Sequence, residues 1–97
     1  MSRIEAKFAD LKSKKESAFV TFLMAGDPTI KVSHTIFKKL PKLGVDIIEI
    51  GMPFTDPMAD GTLIQKAGQR SLSNETTLNN IFDLVKEIRK EDNKIPI

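Results

Sequence analysis

The stretch VDIIEIGMPFTDPMADG, residues 45–61, determines how the rest of the chain is interpreted. Its first part, residues 45–50, is an apolar run of strand length that suits a strand buried on both faces of a parallel sheet. Side chains alternate along a strand, which places Glu49 on the same side as Ile47, near the strand's C-terminal end. The residues that follow, 51–61, are rich in proline and glycine and predict a long, stiffened loop.

A glutamate inside an apolar strand requires a physical explanation. Removing an ionised carboxylate from water is costly unless the group is paired, hydrogen-bonded or neutralised. The C-terminal ends of parallel strands are also where α/β enzymes place their reactive groups. Glu49 is therefore predicted to be catalytic and to point into an enclosed pocket. The alternative is that it pairs with a basic residue outside this segment.

The loop is placed to bring a second polar group near Glu49. Asp56 precedes Pro57, as in a turn initiated by aspartate, whereas Asp60 precedes Gly61 and a helical stretch that it could cap. Spacing alone does not choose between the two aspartates, and either could be a simple turn residue. The three acids offer hard oxygen ligands, but their spacing matches no calcium loop, so no metal site is predicted.

Helix and strand patterns alternate on either side of this stretch. A short amphipathic helix near the N-terminus precedes an apolar strand over 18–26. A second helix follows, capped by either Asp27 or Thr29, and Pro41 must end or kink it. Helices are predicted over 61–72 and 76–91, and the apolar triplet IPI at 95–97 resembles the opening of a third strand.

The predicted buried faces of these helices follow a helical period. They comprise Ile4, Phe8 and Leu11 in the first helix, Val32, Ile36, Phe37, Leu40 and Leu43 in the second, and Leu78, Ile81, Phe82, Val85 and Ile88 in the last.

This order of elements predicts right-handed β–α–β crossovers and a parallel sheet. Two strands and the start of a third cannot cover both of their own faces. Residues 1–97 are therefore expected to be the N-terminal portion of a larger α/β domain, with an N-terminal helix, the first two β/α units and the start of a third strand.

Composition excludes several other classes of function. The net charge is only +2, and basic residues are interleaved with acidic ones, so no nucleic-acid partner is predicted. No cysteine is present, which excludes disulfides and thiolate zinc sites and fits a cytoplasmic location. No apolar run approaches the ~20 residues that span a bilayer, so no membrane association is predicted. Neither the dinucleotide-binding nor the Walker glycine pattern occurs.

Three segments resemble the α subunit of tryptophan synthase: TFLMAGDP at 21–28, GVDIIEIGMPFTDPMADGTLIQKA at 44–67 and RSL at 70–72. The resemblance implies the N-terminal part of a (β/α)₈ TIM barrel with an extra N-terminal helix. It implies cleavage of indole-3-glycerol phosphate to indole and glyceraldehyde 3-phosphate in tryptophan biosynthesis. It also implies a β subunit partner in an α2β2 complex, with pyridoxal phosphate in that partner and no cofactor or metal in the α subunit.

The resemblance also implies roles for particular residues. Glu49 is the general acid/base and Asp60 its partner carboxylate, while Phe22 and Ile64 match positions that line the indole pocket. For the last two, ordinary core packing is the alternative. The loop that contacts the β subunit is matched by Pro53, Phe54, Asp56 and Pro57, for which turn rigidity is the alternative.

Some positions depart from the family's commonest pattern, but none touches the acids. A frequent glycine is missing from SNETT, a role that Asn74 could fill because asparagine tolerates positive φ. Phosphate binding in such barrels comes from loops after the seventh and eighth strands, so this chain alone is expected to be inactive. Two other functions remain open: another barrel lyase or aldolase of a phosphorylated substrate, and a homologue that only docks a partner.

Overall fold

The computed structural model describes residues 1–55 and 59–97. Its elements are α1 (Arg3–Lys14), β1 (Val20–Met24), α2 (Ile30–Lys39), a 3₁₀ turn (Leu40–Leu43), β2 (Ile47–Gly51), α3 (Thr62–Ser73) and α4 (Leu78–Glu91). The predicted alternation of helices and strands is therefore present. Within the described ranges, none of the helices combines the length and apolarity that a bilayer-spanning segment requires.

The two strands pair in parallel, as the alternation predicts. Their register places Phe22 opposite Glu49 and Met24 opposite Gly51. The Ile48 N–H donates to the carbonyl of Pro96 at 3.0 Å, which brings the end of the chain alongside β2. The segment at 95–97 is not itself a strand, but it lies where the predicted third strand begins.

The core lies between one face of this sheet and two helices. Ile48 is 1% exposed and packs in a single cluster with side chains from α2, α4 and the connecting segments: Ala25, Phe37, Val45, Ile81, Leu84, Ile88 and Ile95. The other face is open, because Val20 and Phe22 remain more than two-fifths exposed. The strands that were predicted to be buried on both faces are thus buried on one.

Helices α2 and α4 bury part of each predicted apolar face and expose the rest, and α1 buries only Leu11, at the end of its predicted face. Phe37, Ile81 and Ile88 are buried as predicted, and Leu84, which was not predicted, is fully buried. Seven predicted core positions are instead exposed: Ile4, Phe8, Val32, Ile36, Leu43, Leu78 and Phe82. The reason is geometric, since a helix that lies on a sheet presents only part of its apolar stripe to it.

Helix termini follow local chemistry. Thr29, rather than Asp27, caps α2 by accepting the Val32 N–H at 3.1 Å. The α-helix ends at Lys39 and continues as the 3₁₀ turn that contains Pro41, as the proline predicts. Capping boxes begin α1 and α4.

Two predicted roles at helix termini are wrong. Gly61 is the N-cap of α3 and no side chain caps that helix, so Asp60 does not have the capping role. At the other end of α3, Asn74 has a φ of −89°, and the residue with positive φ is Glu75, at 58°. Asn74 instead uses its side-chain amide to bind carbonyls of the β1–α2 loop.

Asp92 organises the turn that follows α4. Its Oδ1 accepts the N–H groups of Lys94 and Ile95 at 2.8 and 2.9 Å. Burial disfavours the charged carboxylate, but the hydrogen bonds from the Ile95 and Lys94 amides, together with the charges of Arg89 and Lys7, hold the pKa of Asp92 below its ordinary value. The charged form therefore stabilises the turn that leads into the buried Ile95.

Replacing Asp92 with alanine is expected to lower the free energy of unfolding at neutral pH by about 1–2 kcal/mol, since two hydrogen bonds to a carboxylate are lost. Because the folded-state pKa is depressed, this contribution is complete above the unfolded pKa of about 3.9 and disappears as the pH falls through the folded value. Urea unfolding at neutral and acidic pH measures the difference. The exposed Asp83→Ala on α4 is the control; an equal effect from it at neutral pH would contradict the role of Asp92.

Candidate functional site

Phe22 and Glu49 lie side by side on the open face of the sheet. They are register partners on adjacent parallel strands, so their side chains leave the sheet in the same direction. A Cβ added to Gly51 would lie 2.6 Å from the Cζ of Phe22, which shows that the ring extends over that glycine. The aromatic side chain and the carboxyl therefore leave the same face of the sheet near its C-terminal edge.

Glu49 is exposed in this chain, so the expectation that it lies in an enclosed pocket is not met. Phe22 beside it is 41% exposed. The physical reason is that two strands leave one face uncovered, whereas the interior of a parallel barrel is filled by side chains from alternate strands around the whole ring. The structure fixes the direction of Glu49 but does not surround it.

Helix α3 covers the end of this face above β1. Met24, which shares the face with Phe22, is 6% exposed, and its Cε lies 3.7 Å from where a Cβ on Gly68 would be. Ile64 lies in the first turn of α3 and is half-buried. The helix thus runs across the C-terminal end of β1, on the side that carries Glu49.

Asp60 is held in place through its backbone. The side-chain amide of Gln65 donates to the Asp60 carbonyl at 2.8 Å, and the Gln65 N–H donates to the Gly61 carbonyl at 2.9 Å. The carboxyl itself is exposed. This arrangement explains why a residue placed like a helix cap is not one, since the backbone and Gln65 organise the first turn instead.

The loop after β2 carries the remaining predicted residues. Pro53 is half-buried and Phe54 is 63% exposed. Asp56 and Pro57 lie outside the described residues. The described part of the loop therefore presents an aromatic side chain to solvent beside the C-terminal edge of the sheet.

Sequence reasoning missed a polar junction between the ends of β1 and α3. Arg70 donates to both carboxylate oxygens of Asp27, Nε at 2.6 Å and an Nη at 2.9 Å. Ser71 Oγ donates to the carbonyl of Ala25 at 2.5 Å. The sequence indicated this junction only through Asp27, which the pattern GDPT instead predicted as a possible helix cap.

A cleft elsewhere on the described surface carries none of the predicted site residues. A cleft of about 580 Å³ lies between α1 and the turn after α4, lined by Met1, Ser2, Arg3, Ala6, Lys7, Asp10, Asn93 and Lys94. Its lining contains neither Glu49 nor any neighbour of that residue. Among residues 1–55 and 59–97, no group of three or more histidine, aspartate or glutamate side chains is arranged to hold a metal ion.

Comparisons with known proteins agree with the motif. The family model described as tryptophan synthase alpha chain matches residues 8–97. A solved structure from Aquifex aeolicus VF5 is 45% identical, with a TM-score of 0.95, over 99% of this chain and 38% of that chain. Tryptophan synthase subunit alpha from Legionella pneumophila str. Paris is 33% identical, with a TM-score of 0.94, over 99% of this chain and 37% of that chain.

Tryptophan synthase from M. tuberculosis, in its aminoacrylate- and BRD0059-bound form, is 28% identical, with a TM-score of 0.83. The match covers 87% of this chain and 34% of that one. This chain therefore spans little more than a third of the length of these solved relatives.

The polar junction predicts different responses at two glycines with positive φ. Gly26 has a φ of 84°, and a Cβ there would overlap Thr76 Oγ1 and Ser71 Oγ, whereas Gly44 has a φ of 91° and nothing within 4 Å of an added Cβ. Gly44→Ala should lower the free energy of unfolding by about 1 kcal/mol through backbone strain alone. Gly26→Ala should cost about 2 kcal/mol or more, since strain and overlap add. Equal midpoints in urea unfolding would contradict the close approach at Gly26.

Proposed function

Because the chain belongs to the tryptophan synthase alpha chain family, we propose that the protein containing these residues cleaves indole-3-glycerol phosphate to indole and glyceraldehyde 3-phosphate. The chain has the fold of the N-terminal part of the family's (β/α)₈ barrel. The observation that carries the proposal is the pairing of Phe22 with Glu49 on one face of the sheet. An aromatic surface beside a carboxyl suits an indole ring that must be protonated.

Glu49 is proposed as the general acid/base. In the net reaction, the bond between indole C3 and the hydroxyl-bearing carbon breaks. The hydroxyl loses its proton, and C3 gains one. The hydroxyl carbon becomes the aldehyde of glyceraldehyde 3-phosphate, and the bonding electrons return to the indole ring. One carboxyl that gives a proton to C3 and takes one from the hydroxyl supplies both transfers.

Asp60 is proposed to stabilise the charge that develops on the ring. Protonation of C3 makes the indole nitrogen positive, and an ionised carboxylate near its N–H would favour that state. Asp60 stands two residues before α3, and Ile64 follows in the first turn of that helix. Both residues stand at the start of α3, which supports the proposal that Asp60 supplies the charge and Ile64 an apolar wall of the indole pocket.

Glu49 is exposed in this chain, which supports the proposal that the rest of the barrel encloses the site. A closed barrel would withdraw the carboxyl from water, which favours its protonated form and so its action as an acid. Phosphate-binding loops after the seventh and eighth strands lie beyond these residues in the family's fold. Residues 1–97 alone are therefore proposed to have no activity.

We further propose that the protein works in the cytoplasm with a β subunit that carries pyridoxal phosphate, in an α2β2 complex, while the α subunit itself uses no cofactor or metal. The loop after β2 supports this proposal, since the apolar Phe54 projects into solvent beside the C-terminal edge of the sheet. Pro53 stiffens the loop, and Asp56 and Pro57 complete the proposed contact.

In the full-length protein, Glu49→Gln is expected to lower kcat for indole release by roughly 10²–10⁴-fold, because the amide cannot transfer the proton. Indole is measured directly, and thermal unfolding should be unchanged. Glu91→Gln, an exposed substitution on α4, is the control. Near wild-type indole release by Glu49→Gln would contradict the catalytic role. A wild-type protein that binds the β subunit without releasing indole would favour a docking homologue instead.

Phe54→Ala in the full-length protein is expected to weaken association with the β subunit by roughly tenfold or more, because exposed aromatic side chains often anchor interfaces. The dissociation constant is measured by titration of one subunit with the other. Leu43→Ala is the matched control, since Leu43 is also highly exposed but follows α2 rather than β2. Equal affinities for wild type and Phe54→Ala would place the interface elsewhere.

A further inference from the structure

The way α3 is attached to the sheet differs from that of its neighbours. Helices α2 and α4 bury large apolar side chains, among them Phe37, Leu84 and Ile88. The buried residues of α3 are only Gly68 and Ser71, neither of which has an apolar side chain to bury. Apolar burial at α3 is therefore limited to half-buried side chains such as Ile64 and Leu72 and to Met24 near Gly68, and polar contacts add to it.

Those polar contacts are concentrated at the C-terminal end of α3. Arg70 forms a two-pronged hydrogen-bonded ion pair with Asp27, whose side chain is 18% exposed. Ser71 binds the Ala25 carbonyl, and the Asn74 amide binds the carbonyls of Gly26 and Pro28. Three side chains within little more than one helical turn thus join the end of α3 to the residues that follow β1.

The Asp27–Arg70 pair is the charged and most directional member of this junction. A guanidinium fork on a carboxylate fixes orientation as well as distance, because two parallel N–H groups must align with two oxygens. The hydrogen bond that Arg70 donates to the Asp27 carboxylate raises the pKa of Arg70 above its ordinary value. Asp27 lies in the loop between β1 and α2, whereas Arg70 lies near the end of α3, so the pair joins that loop directly to the helix.

We propose that Asp27 and Arg70 are positioning residues for the reaction: their ion pair fixes α3 across the C-terminal end of β1 and so holds Asp60 and Ile64 on the face that carries Glu49 and Phe22. The catalytic part of this inference rests on the proposed function. Its structural part, the fixing of α3, does not. Loss of the pair lets α3 tilt about its other contacts, which displaces the end that follows Asp60.

The experiment compares Arg70→Met, Arg70→Lys and Asp27→Asn in the full-length protein. Amide hydrogen exchange of residues 62–73 should become roughly tenfold faster in Arg70→Met, with exchange in α4 unchanged as an internal reference of folding. The kcat for indole release should fall roughly tenfold with little change in KM, because Asp60 acts on charge that develops only in the transition state. Arg70→Lys keeps the charge without the fork and should recover part of both losses.

A matched control removes an ion pair elsewhere. Lys90→Met breaks the exposed contact between Lys90 and Glu87, 2.9 Å long, within α4, and should leave α3 exchange and kcat at wild-type values. Asp27→Asn keeps the size of the side chain that accepts from Arg70 but removes its charge. It therefore tests the same ion pair should Arg70→Met fail to fold.

Three results would overturn the proposal. Unchanged exchange of residues 62–73 in both Arg70→Met and Asp27→Asn would show that the ion pair does not fix α3. Faster exchange with an unchanged kcat would remove the positioning role. If Lys90→Met changed the exchange of residues 62–73 and kcat as much as Arg70→Met does, the effect would come from loss of a positive charge in general. A wild-type protein that releases no indole refutes the proposed function instead. The exchange comparison then tests by itself whether the ion pair fixes α3.

Discussion

Helices cover one face of the β1–β2 pair, and the rest of the structure depends on this one-sided burial. Ile48 is nearly inaccessible against α2 and α4, while its neighbour Glu49 points the other way and is exposed. A slip of one residue in the register would exchange these two side chains and bury a carboxylate in the core. The apolar residues that fill the core therefore also determine the direction of Glu49.

The three helices of the β/α units meet the sheet by different means. Helices α2 and α4 pack through large apolar side chains, which resist displacement because any movement opens a cavity. Helix α3 contacts β1 through Gly68, close to Met24, and through the polar junction around Asp27 and Arg70. Side chains that form the core thus keep the sheet fixed, whereas directional hydrogen bonds fix the helix that follows Asp60.

The sequence predicted those features that depend on near neighbours in the chain. The alternation of side chains along β2 predicted the face of the sheet on which Glu49 lies, and Pro41 predicted where α2 ends. The exposure of Val32 and Ile36 was not predicted, because periodicity identifies an apolar stripe but not how much of it a neighbouring layer covers.

The Asp27–Arg70 pair was not predicted because its members are 43 positions apart. No local pattern connects them, and Asp27 has an equally good local reading as a cap before proline. The capping role assigned to Asp60 failed for a related reason, since Gln65 binds its backbone and a glycine takes the cap position. Competition between local and distant partners for one polar side chain is decided by the fold.

The open face combines groups whose burial has opposite energetic effects. Val20 and Phe22 are each about two-fifths exposed, so covering them contributes only about 1–2 kcal/mol in total. Removing an ionised Glu49 from water costs several kcal/mol, which this gain does not offset. A cover over this face is therefore compatible with Glu49 only if the carboxyl is protonated or finds hydrogen-bonding partners. The protonated carboxyl is also the form that transfers a proton to indole C3. Covering this face would therefore favour the form of Glu49 that its proposed chemistry uses.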